Sequence, residues 1–452
     1  MGEYLNKFKE AYNDIILFRG LKRDPLIVIM IDLMNSGDLQ YEEWKKKYNE
    51  FLAAFIPWAE IFSNQGKDAW PNYVLNLMLA DENIFSLQAE KLCFEKIPAA
   101  TKTLAVSDLQ NIQILASFSP QMCQEIFKQK VRKIQNSIEI LLDWNEVHSP
   151  FIDIVAEKKR KLFSAFCEMS DWSKGITVLS EYFHRNGTGL FGEYNTLRWV
   201  NDNGQRYLAG VDNPDPISFK QLYEYEWEQE RIINNTEQFL AGYRGNNVLL
   251  YGDRGTGKSS TIKALINKYG DMGLRLIEIQ KQDLDDFPQI ISALARRPQR
   301  FILFIDDLSF GENETEYRQM KALLEGGVET KPRNVLIYAT SNRRHLVYER
   351  ANDREQSFTG NSDEDMRSMD TLQEKLSLAD RFGIAVTFIA PDQKKYLGIV
   401  EKLARERGLN IEKDQLTKLA LKWELSFNAR SARTARQFID HLEGRIAMDK
   451  KG

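Results

Sequence analysis

The segment NNVLLYGDRGTGKSSTIKALINKY, residues 246–269, restricts the possible folds more than any other stretch of the chain. A short apolar run, Val248 to Tyr251, reads as a buried strand, and from about Lys258 the apolar spacing becomes helical. Between them lies GDRGTGKSS, in which Gly252, Gly255 and Gly257 let the backbone curl until successive N–H groups point inward. Inward N–H groups at a helix N-terminus form a cradle for phosphate oxygens. Lys258 is then placed to neutralise β and γ phosphates, and the Ser259 hydroxyl to ligate Mg²⁺. Asp253, Arg254, Thr256 and Ser260 complete the expected nucleotide-binding loop. A bare glycine pattern arises by chance; one set between a strand and a helix is a nucleotide site.

A second strand carries acid at its end. RFILFIDDLSF is a continuous apolar run, Phe301 to Ile305, followed by Asp306 and Asp307, a Walker B signature. Such a run suits a parallel strand buried on both faces, and its carboxyl end lies where ligands bind in open α/β sheets. Asp306 is expected to hold Mg²⁺ through its water shell, and Asp307 to act as the base or water-orienting group towards the γ-phosphate. Taken alone the two aspartates could be a solvated loop; beside the phosphate loop they read as a metal and catalytic pair.

The chain around these motifs divides by texture. At 452 residues it is long enough for two or three domains, and its hydrophobic fraction of 43% with 28% charged residues is that of an ordinary globular protein. Residues 1–183 follow helical periodicity, as in VRKIQNSIEILLDW, and predict an all-α domain. Its Trp44, Trp58, Trp70, Trp144 and Trp172 are spaced as core residues rather than as a base-stacking surface, and the run EKKRK from Glu157 reads as a solvated helix face. Residues 184–218 are turn-rich and predict a linker or small hairpin. FKQLYEYEWEQERIINNTEQFLAG then predicts an amphipathic helix ending near Gly242 and leading into a nucleotide-binding core over 219–390. Three further amphipathic stretches within 391–452 predict a helical lid. Cys93, Cys123 and Cys167 form no paired pattern, which argues against a disulfide framework or zinc site. With no uninterrupted apolar segment long enough to cross a bilayer, the expectation is a cytoplasmic protein with no membrane partner.

The motifs NNVLLYGDRGTGKSS, FILFIDDLSF, YATSNRRHL, LADRFG and SARTARQF together resemble the AAA+ ATPases, and in particular a bacterial AAA+ family known as domain of unknown function 815. The resemblance covers roughly half of the chain, from about Phe219 to Ala447. It implies an α/β P-loop core, with a parallel five-stranded sheet flanked by helices and a C-terminal helical lid, preceded here by the all-α domain. It also implies three polar sensors. Asn342, at the end of the strand in VLIYATSNRR, matches the sensor 1 position, which bonds the attacking water and the γ-phosphate. Arg381, ahead of the last core strand Ile384 to Ile389, matches an arginine finger that reaches a neighbouring subunit, and therefore implies a homo-oligomer, a ring or helical assembly. Arg433 in SAR matches sensor 2, with Arg436 as its alternative. Each arginine could also be a surface ion-pair partner or a solubilising group.

Many related ATPases carry Glu where Asp307 stands, and Asp is one methylene shorter, which puts the rate of hydrolysis in question. Threading AAA+ proteins carry an aromatic-glycine loop after the second strand; KQDLDDFPQ offers only Phe287. Three functions follow: an Mg²⁺-dependent ATPase that remodels a protein or nucleoprotein partner through its helical half, a slowly hydrolysing assembly switch or loader, and, more weakly, a P-loop kinase. A net charge of -4 gives nucleic acid no general support, although local patches exist on neutral chains. The polar stretch 351–370 is long enough for a partner-binding insertion.

Overall fold

The computed structural model describes residues 2–35, 40–62, 69–131, 143–144, 157–309, 319–321, 323–324, 332–342, 381–427 and 430–449. The stretch 351–370 and most of VRKIQNSIEILLDW lie outside the described residues. The chain divides into two compact units, 1–193 and 194–452.

The first unit is helical: α1 Gly2–Asp14, α2 Pro25–Asn35, α3 Tyr41–Phe62, α4 Ala69–Ala80, α5 Ile84–Lys91, α6 Ala99–Ala116, α7 Pro120–Val131, α8 Glu157–Glu168, α9 Ile176–Asn186 and α10 Gly189–Glu193. It extends beyond the boundary expected near residue 183, because α10 packs against α4 and α9. Aromatic rings dominate that core: Phe51 meets Trp70, Phe118 and Trp144 edge-on at 5.3 to 5.5 Å. Four of its tryptophans, Trp44, Trp70, Trp144 and Trp172, are buried, whereas Trp58 is exposed. Asp108 is fully buried and accepts hydrogen bonds from the backbone N–H groups of Ile16, Leu17 and Phe18, tying α6 to the segment after α1.

The second unit is built on one sheet. Its elements are β1 Thr196–Asp202, β2 Gln205–Gly210, α11 Glu226–Leu240, β3 Val248–Gly252, α12 Lys258–Tyr269, β4 Leu274–Glu278, α13 Phe287–Ala295, β5 Arg300–Ile305, β6 Val335–Ser341, β7 Ile384–Phe388, α14 Gln393–Glu406, α15 Lys413–Phe427 and α16 Ala432–Asp449. Among the described residues the sheet has seven strands, in the order β2-β1-β4-β5-β6-β3-β7. The five expected strands, β3 to β7, are parallel to one another, but the sheet is larger than expected. The turn-rich segment, expected as a linker or small hairpin, contains a hairpin: β1 pairs in parallel with β4, and β2 turns back antiparallel on β1. The turn between them is Asn203-Gly204, both with positive φ (50° and 87°), the geometry a two-residue hairpin demands. Trp199 donates from Nε1 to Asp286 Oδ2 at 2.8 Å and Arg206 pairs with the other oxygen of that buried carboxylate, so the hairpin is anchored to the turn before α13.

A second correction concerns the helix expected from Phe219. It begins only at Glu226. Ser218 and Gln221 close a short 3₁₀ turn with reciprocal capping bonds, and Glu224 takes a φ of 71°, which interrupts helical propagation and leaves 221–225 as a strap. The three C-terminal helices pack on one another through Tyr396, Ile399, Leu403, Ala420, Phe438 and Ile439.

Candidate nucleotide site

The strand order decides what meets at the carboxyl edge of the sheet. β6 lies between β3 and β5, so the residues that end β6 fall between the phosphate loop and the acidic pair. β3 enters the loop at Gly252, whose φ is 131°; a Cβ there would approach the Phe388 carbonyl oxygen to 2.0 Å. Gly255 (φ 75°) faces Ser431 Oγ at 2.8 Å from a would-be Cβ, and Gly257 (φ 94°) precedes the first residue of α12. These positions admit only glycine without strain.

Lys258 is buried to 6% exposure. Its ammonium donates to the carbonyls of Gly252 (2.9 Å) and Asp253 (2.7 Å) and to Asn342 Oδ1 (3.1 Å). Burial pulls its pKa below the ordinary lysine value, against the opposing pull of Asp253, Asp307 and Asp306. A desolvated cation of this kind gains most from an anionic ligand. Ser259 donates to Asp306 Oδ1 at 2.6 Å, and Thr340, in β6, donates to the same oxygen. The Thr340 hydroxyl also accepts the Asp307 N–H at 2.9 Å. Asp307 stands at φ 52°, a left-handed conformation for a residue with a side chain, and its carboxylate accepts from Asn342 Nδ2 at 2.6 Å. Asn342 therefore bridges Lys258 and Asp307.

The opposite wall comes from the C-terminal helices. Ser431 caps α16, its Oγ accepting the Thr434 N–H at 3.1 Å, and the Arg433 N–H reaches the Gly255 carbonyl at 3.3 Å. Helical spacing then sets Arg433, Arg436, Gln437 and Asp440 along one face, all lining the same cleft of about 590 Å³ as the loop and the acidic pair. Both candidate sensor arginines lie there. Leu222 and Tyr223 of the strap and Ile399 and Leu403 of α14 line its apolar part.

Among the residues expected at the site, Arg254, Gly255, Thr256, Gly257, Lys258, Ser259, Ser260, Asp306, Asp307, Asn342 and Arg433 line this cleft. Gly252 and Asp253 do not. Asp253 instead fastens the loop to the end of β7: its N–H donates to the Phe388 carbonyl at 2.9 Å, and its carboxylate accepts the Ala390 N–H at 2.6 Å. Arg381 sits half-buried in the turn ahead of β7, outside the cleft lining. Phe287 is buried at 2% exposure and presents no grip for a polypeptide. Sequence reading missed Thr340, whose signal is a hydroxyl near the end of a fully buried strand, and the strap, whose role depends on a helix that fails to form. The hard oxygen donors Ser259 and Asp306, 2.6 Å apart, fit a magnesium ion shared with phosphate oxygens.

These features define a P-loop fold, with a strand between the loop strand and the acidic strand and a polar residue closing it. The chain belongs to the family described as "Protein of unknown function (DUF815)", which matches residues 192–446. No curated protein matches the sequence. Among solved structures, the RuvB Holliday junction branch migration motor of Thermotoga maritima and two single-substitution variants of it are each similar at 16% identity, over 50% of this chain and 72% of that one, with a TM-score of 0.30.

Proposed function

We propose that this protein is an Mg²⁺-dependent AAA+ ATPase that acts as an oligomer, using ATP turnover to rearrange a protein or nucleoprotein partner engaged by the helical unit. The observation that carries the reading is the Lys258–Asn342–Asp307 bridge beside Ser259 and Asp306. In this reading Lys258 and the loop N–H groups hold the β and γ phosphates, and Arg433 or Arg436 contacts the γ-phosphate from α16. Leu222, Tyr223, Ile399 and Leu403 enclose the base. Asp307 orients the attacking water and receives its proton, while Asn342 positions both water and γ-phosphate. Bound magnesium, held by Ser259 and Asp306, supplies charge neutralisation at the phosphates.

Arg381 would complete a neighbour's site. ATPase rate measured per subunit over a range of protein concentrations tests this: the rate should climb as subunits associate, and Arg381→Ala should abolish the climb. A rate independent of concentration, or a normal rate in pure Arg381→Ala protein, refutes the trans-acting assignment.

The second reading, a slow nucleotide switch, is favoured by Asp307 itself. It is short, held in a left-handed conformation, and bonded to Asn342. Phosphate binding to Lys258 would compete with Asn342 and release Asp307 for the water, so turnover would follow assembly rather than run continuously. Single-turnover rates of isolated and assembled protein separate the two readings. A kinase would form ADP only with an added small acceptor.

A further inference from the structure

The carboxyl edge of the sheet carries the nucleotide cleft; the amino edge carries a second concentration of charge. β5, β6 and β3 are neighbours, and the segments that lead into them, 241–247, 296–300 and 332–334, contribute Arg244, Arg296, Arg297, Arg300 and Arg333 with no acidic residue. The segments are held together. Arg300 Nη1 donates to the Arg333 carbonyl at 3.1 Å, and its guanidinium lies 5.2 Å from the centre of the Phe239 ring and beside Gly242. Asn334 donates to the carbonyls of Leu294 and Arg297, both at 2.9 Å, and Gln238 to that of Arg244 at 2.7 Å.

Among the described residues, no carboxylate pairs with Arg244, Arg296, Arg300 or Arg333. Glu237, on the last turns of α11, is engaged by Lys268 and the Tyr269 hydroxyl. Arg244, Arg296 and Arg333 are exposed, and burial of Arg300 pulls its pKa below the ordinary value. Tyr243, next to Arg244, is 69% exposed.

We propose that this amino edge binds the phosphodiester backbone of single-stranded nucleic acid. Guanidinium forks match phosphate oxygens in pairs. Three adjacent strands set their leading loops across about 10 Å, and their exposed Arg244, Arg296 and Arg333 offer three phosphate contacts along one strand. The exposed Tyr243 ring beside that row supplies a face on which a base stacks. An acidic polypeptide would satisfy the arginines but leave the ring unused. The surface is independent of the phosphate loop, so it neither needs nor reports ATP turnover.

Anisotropy titrations of the full chain with labelled oligothymidylate and oligouridylate, between 50 and 200 mM salt, test the proposal. Binding is expected to fall with salt on a log-log slope of about -2, the value for three phosphate contacts on a single strand. The double variant Arg244→Ala/Arg333→Ala should bind at least tenfold more weakly, with a slope shallower by about 1.4. Tyr243→Ala should weaken binding by roughly five- to a hundredfold while leaving the slope unchanged. Each exposed-site variant is checked for an unchanged melting temperature, and Lys258→Met should bind the oligonucleotides as the native chain does. Absence of oligonucleotide binding, equal competition by polyglutamate, or binding to phosphatidylserine vesicles in its place overturns the proposal.

Discussion

Asp108 in the helical unit and Lys258 in the sheet unit are both buried charges, and they are satisfied in different ways. Asp108 receives three backbone N–H groups from a single segment, bonds that have no alternative partner once the unit is folded. Lys258 is held by two loop carbonyls and an amide oxygen at the edge of an open cleft, acceptors that any phosphate would outcompete. A charge that is fully used by its own fold is structural. A charge kept on weaker acceptors, in reach of solvent, is available to a ligand. The same contrast separates the two units as a whole: the helical unit spends its aromatic residues on a closed core, while the sheet unit leaves polar side chains bonded to one another around a cleft.

Substitution of the two charges should break the comparison if it is wrong. Asp108→Ala strands three N–H groups and is expected to cost roughly 3 to 5 kcal/mol of unfolding free energy. Urea denaturation followed by intrinsic tryptophan fluorescence would measure it, and nucleotide affinity should not change. Lys258→Met is the converse. It should lower ATP affinity by about a hundredfold or more while leaving stability equal or higher, because a desolvated cation is removed and its stem is kept. If Lys258→Met destabilises the protein as severely as Asp108→Ala, the lysine is a structural charge and the contrast fails.

Asp307→Asn should have the next largest effect. The amide keeps the size of the side chain but cannot take a proton, so turnover is expected to fall about thirtyfold or more with ATP affinity preserved. Equal losses of turnover and affinity would mean that Asp307 serves nucleotide binding, and would remove it from the role of base.

Local pattern made half of this arrangement legible. The loop, the acidic strand and the strand ending at Asn342 each announce themselves by a run of buried residues followed by a polar one, a signal contained within about ten positions. Arg433 and its alternative Arg436 rested on the family resemblance of SAR, and both line the cleft. What was lost depends on partners distant in the chain. For residues 184–218 the sequence left a linker and a small hairpin both open, and the choice is made by the pairing of β1 with the distant β4. The strap 221–225 has helical periodicity; only the positive φ of Glu224, with its carboxylate bonded to Lys402 of α14, keeps it extended and brings Tyr223 to the cleft. Asp253 sits within the phosphate motif, yet its side chain is committed to Ala390.

Thr340 sharpens the comparison at its finest grain, because it is buried to 2% exposure like Asp108 but its partners belong to the cleft. Its single hydroxyl donates to Asp306 and accepts from the Asp307 backbone, so it sets the direction of one carboxylate and the backbone angle of the other. Thr340→Val preserves volume and removes both bonds. The expected result is a turnover about tenfold lower together with a higher Mg²⁺ concentration for half-maximal rate, since Asp306 loses the bond that orients it. Thr340→Ser should restore most of both, as the hydroxyl alone carries the effect. If Val is as active as Thr, or if Ser fails to rescue, the hydroxyl has only a packing role and the metal-side carboxylate is positioned by Ser259 alone.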